Sequence, residues 1–317
     1  AFWFASPARP PTCARAFGLP RTAWRLRRSR VLACMASPDY AGLGLVRAGV
    51  ADGVGHLRLA AEKTKNALSA QMRADVCTCL ARMGEDPEVR CVVLSAEGGV
   101  FSAGIDLHEL QPLTHPDSVD PGRKASKLGA FIQAFQDFVS AFERCPKPVV
   151  CAVHGPCIGG GLNVITACDM RVCSADTVFS LREARVGLAA DVGALQRLPK
   201  VVGCDSWVRD LAYTGRDFGA EEALRFGLVQ EVLETPAAAV ERALALGRQI
   251  AANSPLAVAA TKASLNFSRD HSVADGLQHV LLLNSVNLQA PDLGIGVQSA
   301  LKKAAGTYPN MPARSRL

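Results

Sequence analysis

The chain has 317 residues, 49% of them hydrophobic and 20% charged, with a formal net charge of +6. That composition can bury a core and excludes a chain disordered throughout. The charge does not mark a nucleic-acid binder: seven of the 35 Lys+Arg residues lie in the first 30 positions, before the first acid at Asp39, and the remainder carries 28 bases against 29 acids.

Residues 1–36 are rich in Arg and Pro, hold two of the three tryptophans (Trp3 and Trp24), and stand outside the expected fold. They read either as an organellar transit peptide or as non-native sequence ahead of a start at Met35. Residues 37–235 then alternate short apolar runs with amphipathic stretches. Strands are expected at Gly55–Leu59, Cys91–Ser95, Pro148–Val153, Met170–Cys173 and Thr177–Ser180. Helices are expected at Asn66–Met83, Lys124–Cys145, Gly159–Cys168 and Asp191–Leu198, an alternation that argues α/β layering. Beyond Thr235 the pattern is helical over Ala237–Ala252, Pro255–Ser268 and His271–Ala304, with Pro291 and nearby glycines as interruptions. Leu277, Val280, Leu281, Leu283 and Leu288 exceed what a lone surface helix needs, so 236–317 is expected to pack on the core or on a neighbouring subunit. No apolar run reaches the ~18 residues of a membrane span. The eleven cysteines lack zinc-ribbon or CxxC spacing and read as reduced thiols, with Cys151, Cys157, Cys168 and Cys173 as small core residues. The final Ser315-Arg316-Leu317 differs from the peroxisomal address Ser-Lys-Leu by one basic-for-basic exchange.

Two glycine-containing segments follow strands and open helices: Gly98–Leu107 (GGVFSAGIDL) and His154–Asn163 (HGPCIGGGLN). Glycines there expose backbone N–H groups at a helix start, where the dipole adds positive potential, and such donors can hold a phosphate or a developing oxyanion. Neither segment fits a dinucleotide or phosphate-loop pattern.

The stretches FSAGIDL (101–107), ERCPKPVVCAVHGPCIGGGLNVITACDMR (143–171), GLAADVGALQRLPKVVG (187–203) and SRDHSVADGL (268–277) resemble the crotonase superfamily of enoyl-CoA hydratases and isomerases, and within it the dienoyl-CoA isomerases. The resemblance implies a spiral of ββα turns followed by helices that build a trimer, often doubled to a hexamer. It implies an acyl-CoA substrate and no cofactor beyond that CoA thioester. The thioester oxygen would sit between the backbone N–H groups of Ile105 and Gly160, and CoA against Lys63, Lys65, Ala67 and Ala103. The two lysines also read simply as solvated surface residues, and the Arg-Pro usual after the first strand is replaced by Leu59-Ala60.

Three positions that carry acids in the dienoyl-CoA isomerases fall here on Asn163, Glu183 and Asp191. Two acids remain, and the third is an amide in the acyl pocket that can neither take nor give a proton at neutral pH. The resemblance therefore implies Glu183 serving carbon 2 and Asp191 serving carbon 6 of a 3,5-dienoyl-CoA, with weak hydration of 2-enoyl-CoA. Asn163 would hydrogen-bond a water or orient Glu183. A hydratase or 3-enoyl-CoA isomerase of the same fold, and a non-catalytic acyl-CoA-binding scaffold, are the competing readings. Taken alone, Asp191 and Asp106 also read as helix N-caps, and His154 as a structural histidine.

Overall fold

The computed structural model describes Tyr40, residues 42–111 and residues 120–312. The leader at 1–36 and Ser315-Arg316-Leu317 lie outside the described residues.

Strands β1 (Val46–Ala51) and β2 (Val54–Leu59) form an antiparallel hairpin. Its turn is Asp52-Gly53, both at positive φ (53° and 75°), a pairing that Asp-Gly adopts readily. Helix α1 (Ala70–Glu85) starts at Ser69, whose hydroxyl accepts the Met72 N–H, and buries Met72, Val76, Cys79, Leu80 and Met83 as one stripe. Strand β3 (Cys91–Ala96), helix α2 (Pro121–Arg144) and strand β4 (Val149–Val153) follow. Next come β5 (Pro156–Ile158), α3 (Gly160–Ala167), β6 (Met170–Ser174) and β7 (Val178–Ser180). The chain continues through α4 (Ala194–Val202), α5 (Asp205–Thr214), β8 (Asp217–Gly219), α6 (Ala220–Arg225) and β9 (Val232–Leu233). It closes with α7 (Pro236–Ala251), α8 (Pro255–Ser268), α9 (Val273–Asn287) and α10 (Pro291–Lys302).

The larger sheet has the order β1-β2-β3-β4-β6-β9 and is parallel from β2 onward; β5, β7 and β8 form a second, smaller sheet. Strands β3 and β4 are buried at every position, as expected for parallel strands covered on both faces. Alternate side chains divide between two cores. Val92 and Leu94 join the cluster that holds Val76, Leu80 and Phe138 of α1 and α2. Cys91 and Val93 join Ala243 and Leu246 of α7. Helix α7 is thus the back cover of the sheet.

Some elements differ from the sequence expectation for local reasons. The first helix begins at Ala70, not Asn66, because Lys65 and Asn66 both take left-handed conformations. The helix expected from Asp191 begins at Ala194, after Gly193 at φ 122°. The His271–Ala304 pattern is two helices, separated at Leu288–Ala290 ahead of Pro291. Strand β1 was not expected: Arg47 and Gly49 interrupt its apolar pattern, and it pairs on one side only.

Two polar clamps tie distant chain to the sheet. Lys262 of α8 is 6% exposed, and its Nζ donates to Asp169 Oδ2 at 2.7 Å and to the carbonyls of Lys147 and Phe142 at 3.1 and 3.2 Å. Asp169 Oδ2 also accepts the Val149 N–H at 2.7 Å, so one carboxylate aligns α8 with the start of β4. Arg90, just before β3, donates to Ala251 O at 3.0 Å, Tyr308 O at 2.7 Å and Asn310 Oδ1 at 2.6 Å. Removing one partner of a buried pair strands the other charge, which costs about 3–5 kcal/mol. Asp169→Ala is expected to lose stability in that range in urea denaturation. A loss under ~1 kcal/mol would mean that water solvates Lys262.

Candidate active site

The site begins with Asn66, in the turn between β2 and α1. It is fully buried at φ 52°. Its Oδ1 accepts the Ala61 N–H at 2.8 Å, and its Nδ2 donates to the carbonyls of Glu97 at 2.9 Å and Val100 at 2.8 Å. Ser102 extends the brace: its Oγ donates to Asn66 O at 2.8 Å and accepts the Gly104 N–H at 3.1 Å. Along the backbone, the Ser102 N–H donates to Pro156 O at 3.2 Å, and Ser102 O accepts the Ile158 N–H at 3.0 Å. Residues 102–105 therefore run beside residues 156–160. Asn66 carries no motif of its own, since a lone polar residue in a turn is indistinguishable in sequence from a solvated one; Ser102 lies within FSAGIDL, where nothing local marks it as a brace.

The crossing is as close as backbone allows. Gly104 stands at φ 88°, and a Cβ there would fall 2.7 Å from Ile158 O and 3.2 Å from Gly160 N. A Cβ on Gly160 would lie 3.4 Å from Ile105 N, 3.0 Å from Leu68 Cδ1 and 3.5 Å from Phe135 Cζ. The N–H groups of Ile105 and Gly160 are thus neighbours against an apolar wall. Gly160 occupies the first turn of α3, where N–H groups lack an intrahelical acceptor. The Ile105 N–H has no acceptor among the described residues. Two fixed donors in such a setting can hold charge that develops on a carbonyl oxygen.

Glu183 opens the 3-10 turn Glu183–Val186, and its carboxylate lies beside Gly159, next to the Gly160 donor. Asn163, one turn into α3, is wholly buried. Its Nδ2 donates to Glu183 Oε1 at 2.9 Å and to Gly159 O at 3.0 Å, while its Oδ1 accepts the Ala194 N–H at 2.6 Å. Glu183 Oε2 is buried without a hydrogen-bond partner among the described residues. Burial pushes the Glu183 carboxyl above its ordinary value; its own backbone N–H and Asn163 oppose this, and the nearby Asp191 charge adds to it. Asp191 lies in the loop before α4 and is exposed; partial desolvation raises its carboxyl also, against the pull of its own N–H. Its carbonyl accepts Gln136 Nε2 of α2 at 2.7 Å. Asp191 does not cap α4. The N-cap is Gly193, which has no side chain, and Asn163 satisfies the Ala194 N–H from across the site.

The remaining sequence candidates fall nearby. Lys63 and Lys65 are exposed in the turn before Asn66, Ala67 is half-buried and Ala103 is exposed. The Ala103 N–H donates to Lys65 O at 2.9 Å, which joins that turn to the 102–105 loop. Asp106 caps the short turn Leu107–Glu109. His154 is buried, with Nε2 2.8 Å from Gly98 O. The nine described cysteines are free thiols. Cys151, Cys157, Cys168 and Cys173 are buried, and burial pushes Cys173 up to about 12. Among the described residues, no group of three or more His, Cys, Asp or Glu is placed to hold a metal, and no helix is long and apolar enough to cross a membrane.

The sheet backed by helices thus sets paired backbone donors at the start of a buried helix. Residues 49–291 match the enoyl-CoA hydratase/isomerase family, and the chain belongs to it. It is 42% identical over 264 residues to the human protein named Delta(3,5)-Delta(2,4)-dienoyl-CoA isomerase, mitochondrial, covering 83% of this chain and 80% of that one. The Arabidopsis thaliana protein named Delta(3,5)-Delta(2,4)-dienoyl-CoA isomerase, peroxisomal, is 37% identical over 271 residues, covering 85% of this chain and 97% of that one. The crystal structure of an enoyl-CoA hydratase from Bacillus anthracis superimposes with a TM-score of 0.76 at 26% identity, over 84% of this chain and 99% of that one. The α/β class and crotonase architecture expected from the sequence are thereby met.

A carboxyl whose value rises on folding binds more protons folded than unfolded. The stability it contributes is full below the ordinary carboxylate value and is lost as pH climbs through the raised one. Glu183→Gln is therefore expected to gain stability relative to the parent as pH rises from about 4.5 across that window, read in urea denaturation at several pH values. A pH-independent difference would mean that Glu183 titrates normally.

Proposed function

We propose that this protein isomerises 3,5-dienoyl-CoA to 2,4-dienoyl-CoA. The observation that carries the reading is the Glu183 carboxylate held by Asn163 beside Gly159 at the start of α3, with Asp191 in the loop that leads into α4. The names of the similar human and Arabidopsis proteins support it. The thioester oxygen lies between the Ile105 and Gly160 N–H groups. CoA lies against the turn at Lys63, Lys65 and Ala67 and the loop at Ala103. Ionised Glu183 takes a proton from carbon 2. The electron pair spreads through the diene onto the oxygen, where the two N–H groups hold it. Protonated Asp191 delivers a proton to carbon 6, and the double bonds settle at positions 2 and 4. The reaction moves one proton and leaves the oxidation level unchanged, so the acids and donors suffice and no cofactor is called for. Desolvation, deeper at Glu183 than at Asp191, serves both acids, because a raised carboxyl is a stronger base when ionised and stays protonated longer when it must donate.

Hydration of a 2-enoyl-CoA calls for two carboxylates around one water, and Asn163 leaves one. Incubation with 3,5-dienoyl-CoA is expected to raise the absorbance of the conjugated 2,4-diene, whereas 2-enoyl-CoA is consumed slowly. Hydration alone would point to a hydratase, and binding of CoA esters without turnover to a scaffold. Glu183→Gln and Asp191→Asn are each expected to lower kcat by at least about 10²-fold, the scale of general acid–base catalysis. Full activity of Asp191→Asn would remove the second acid from the mechanism.

The protein works as a homotrimer or a pair of trimers in this reading, in the peroxisome, the mitochondrion or both. Exposed Leu277, Leu281, Leu282 and Val286 on α9 and Leu293 and Val297 on α10 supply apolar surface for subunit contact. Light scattering is expected to return three or six times the chain mass; a monomer would refute the assembly.

A further inference from the structure

Asn163 is more than a missing acid. The Ala194 N–H can only donate, so the atom that faces it is the amide carbonyl. The amide nitrogen must then face the other way, and its two hydrogens go to Gly159 O and Glu183 Oε1. Both amide hydrogens and one lone pair of the carbonyl oxygen are used, and this buried side chain cannot flip without losing all three bonds. We propose that Asn163 is a positioning residue that favours the ionised form of Glu183 and fixes its carboxylate relative to the start of α4, three residues after Asp191. The inference rests on the isomerase reading for its purpose, but the hydrogen-bond logic stands on this chain alone.

A fixed donor holds the ionised carboxylate more strongly than the protonated form, because a hydrogen bond to a charged acceptor is stronger than one to a neutral carbonyl oxygen. The Asn163 donor occupies Oε1 and leaves Oε2 as the oxygen without a partner among the described residues. Other charges around the turn are engaged elsewhere. Arg182 pairs with Asp217, and Arg185 turns to Thr214 O. On α5, Asp205 pairs with Arg209 and Asp210 with Arg216. On α4, Arg197 pairs with Glu143 and Lys200 with Asp270. Helix α3 has no titratable side chain. Asp191 is the ionisable group that bears on Glu183, and it disfavours the charge that Asn163 favours. An aspartate at 163 could still accept the Ala194 N–H. Its second oxygen would then meet Glu183 Oε1 at about hydrogen-bond distance, where two carboxyls share one proton.

The test follows the Glu183 carboxyl directly, by carbon-13 NMR on protein labelled at the glutamate carboxyl carbon, its resonance assigned by its loss in Glu183→Gln. In Asn163→Asp, Glu183 is expected to titrate about one pH unit or more above the parent, while the Ala194 amide keeps its hydrogen-exchange protection. In Asn163→Ala the titration also rises, and the Ala194 amide exchanges faster. With 3,5-dienoyl-CoA, the acid limb of kcat is expected to move upward in both variants with KM within about twofold, since the hydrogen bonds of the Asn163 amide go to the protein. A merely structural role would lower stability and leave the titration in place. An unmoved Glu183 titration in whichever variants fold would overturn the proposal. A moved titration in a protein inert towards the diene would sink the isomerase reading and leave this one standing.

Discussion

Two backbone N–H groups can share one oxygen only if their chains almost touch, and here that contact is the crossing of residues 102–105 with residues 156–160. Everything else at the site is arranged around it. Gly104 gives up its side chain so that Ile158 O can pass, and Ser102 bonds to Pro156 and Ile158 on the neighbouring loop. Asn66, buried and left-handed, spends its whole amide holding the preceding turn to Glu97 and Val100. The donors belong to the main chain, so the side chain at 105 is free to be an isoleucine packed against the core.

The acids are held by a different logic. Glu183 and Asp191 sit on irregular chain after β7, a segment with little regular hydrogen bonding of its own. Order is imposed from α3 and α2: Asn163 reaches both Glu183 and the first amide of α4, and Gln136 holds the Asp191 carbonyl. Desolvation raises the proton affinity of both carboxyls, of which Glu183 is the more buried and Asp191 the exposed one.

Much of this was legible in the sequence where chemistry and periodicity coincide. The buried strands β3 and β4 announce themselves as apolar runs, and AGID and GGG stand at strand-to-helix turns as expected. Other parts were not legible, because their meaning lies in distant partners. Nothing local tells Asn66 from any polar turn residue, or says that Asn163 will cap a helix 31 residues ahead. The N-cap reading of Asp191 failed for the same reason: the cap comes from another element. Helix α7 was read only as part of a terminal segment, yet its Ala243 and Leu246 complete the rear core of β3 and β4.

The Arg90 clamp sets a timetable. Its partners lie 161, 218 and 220 residues further along the chain. A ribosome emits the strands first, so β3 leaves the exit tunnel long before the helix that covers its rear face or the tail that closes Arg90. Cys91 and Val93 must wait uncovered until α7 arrives. Contacts of such long separation fold slowly, and the interval exposes an apolar sheet face to other chains.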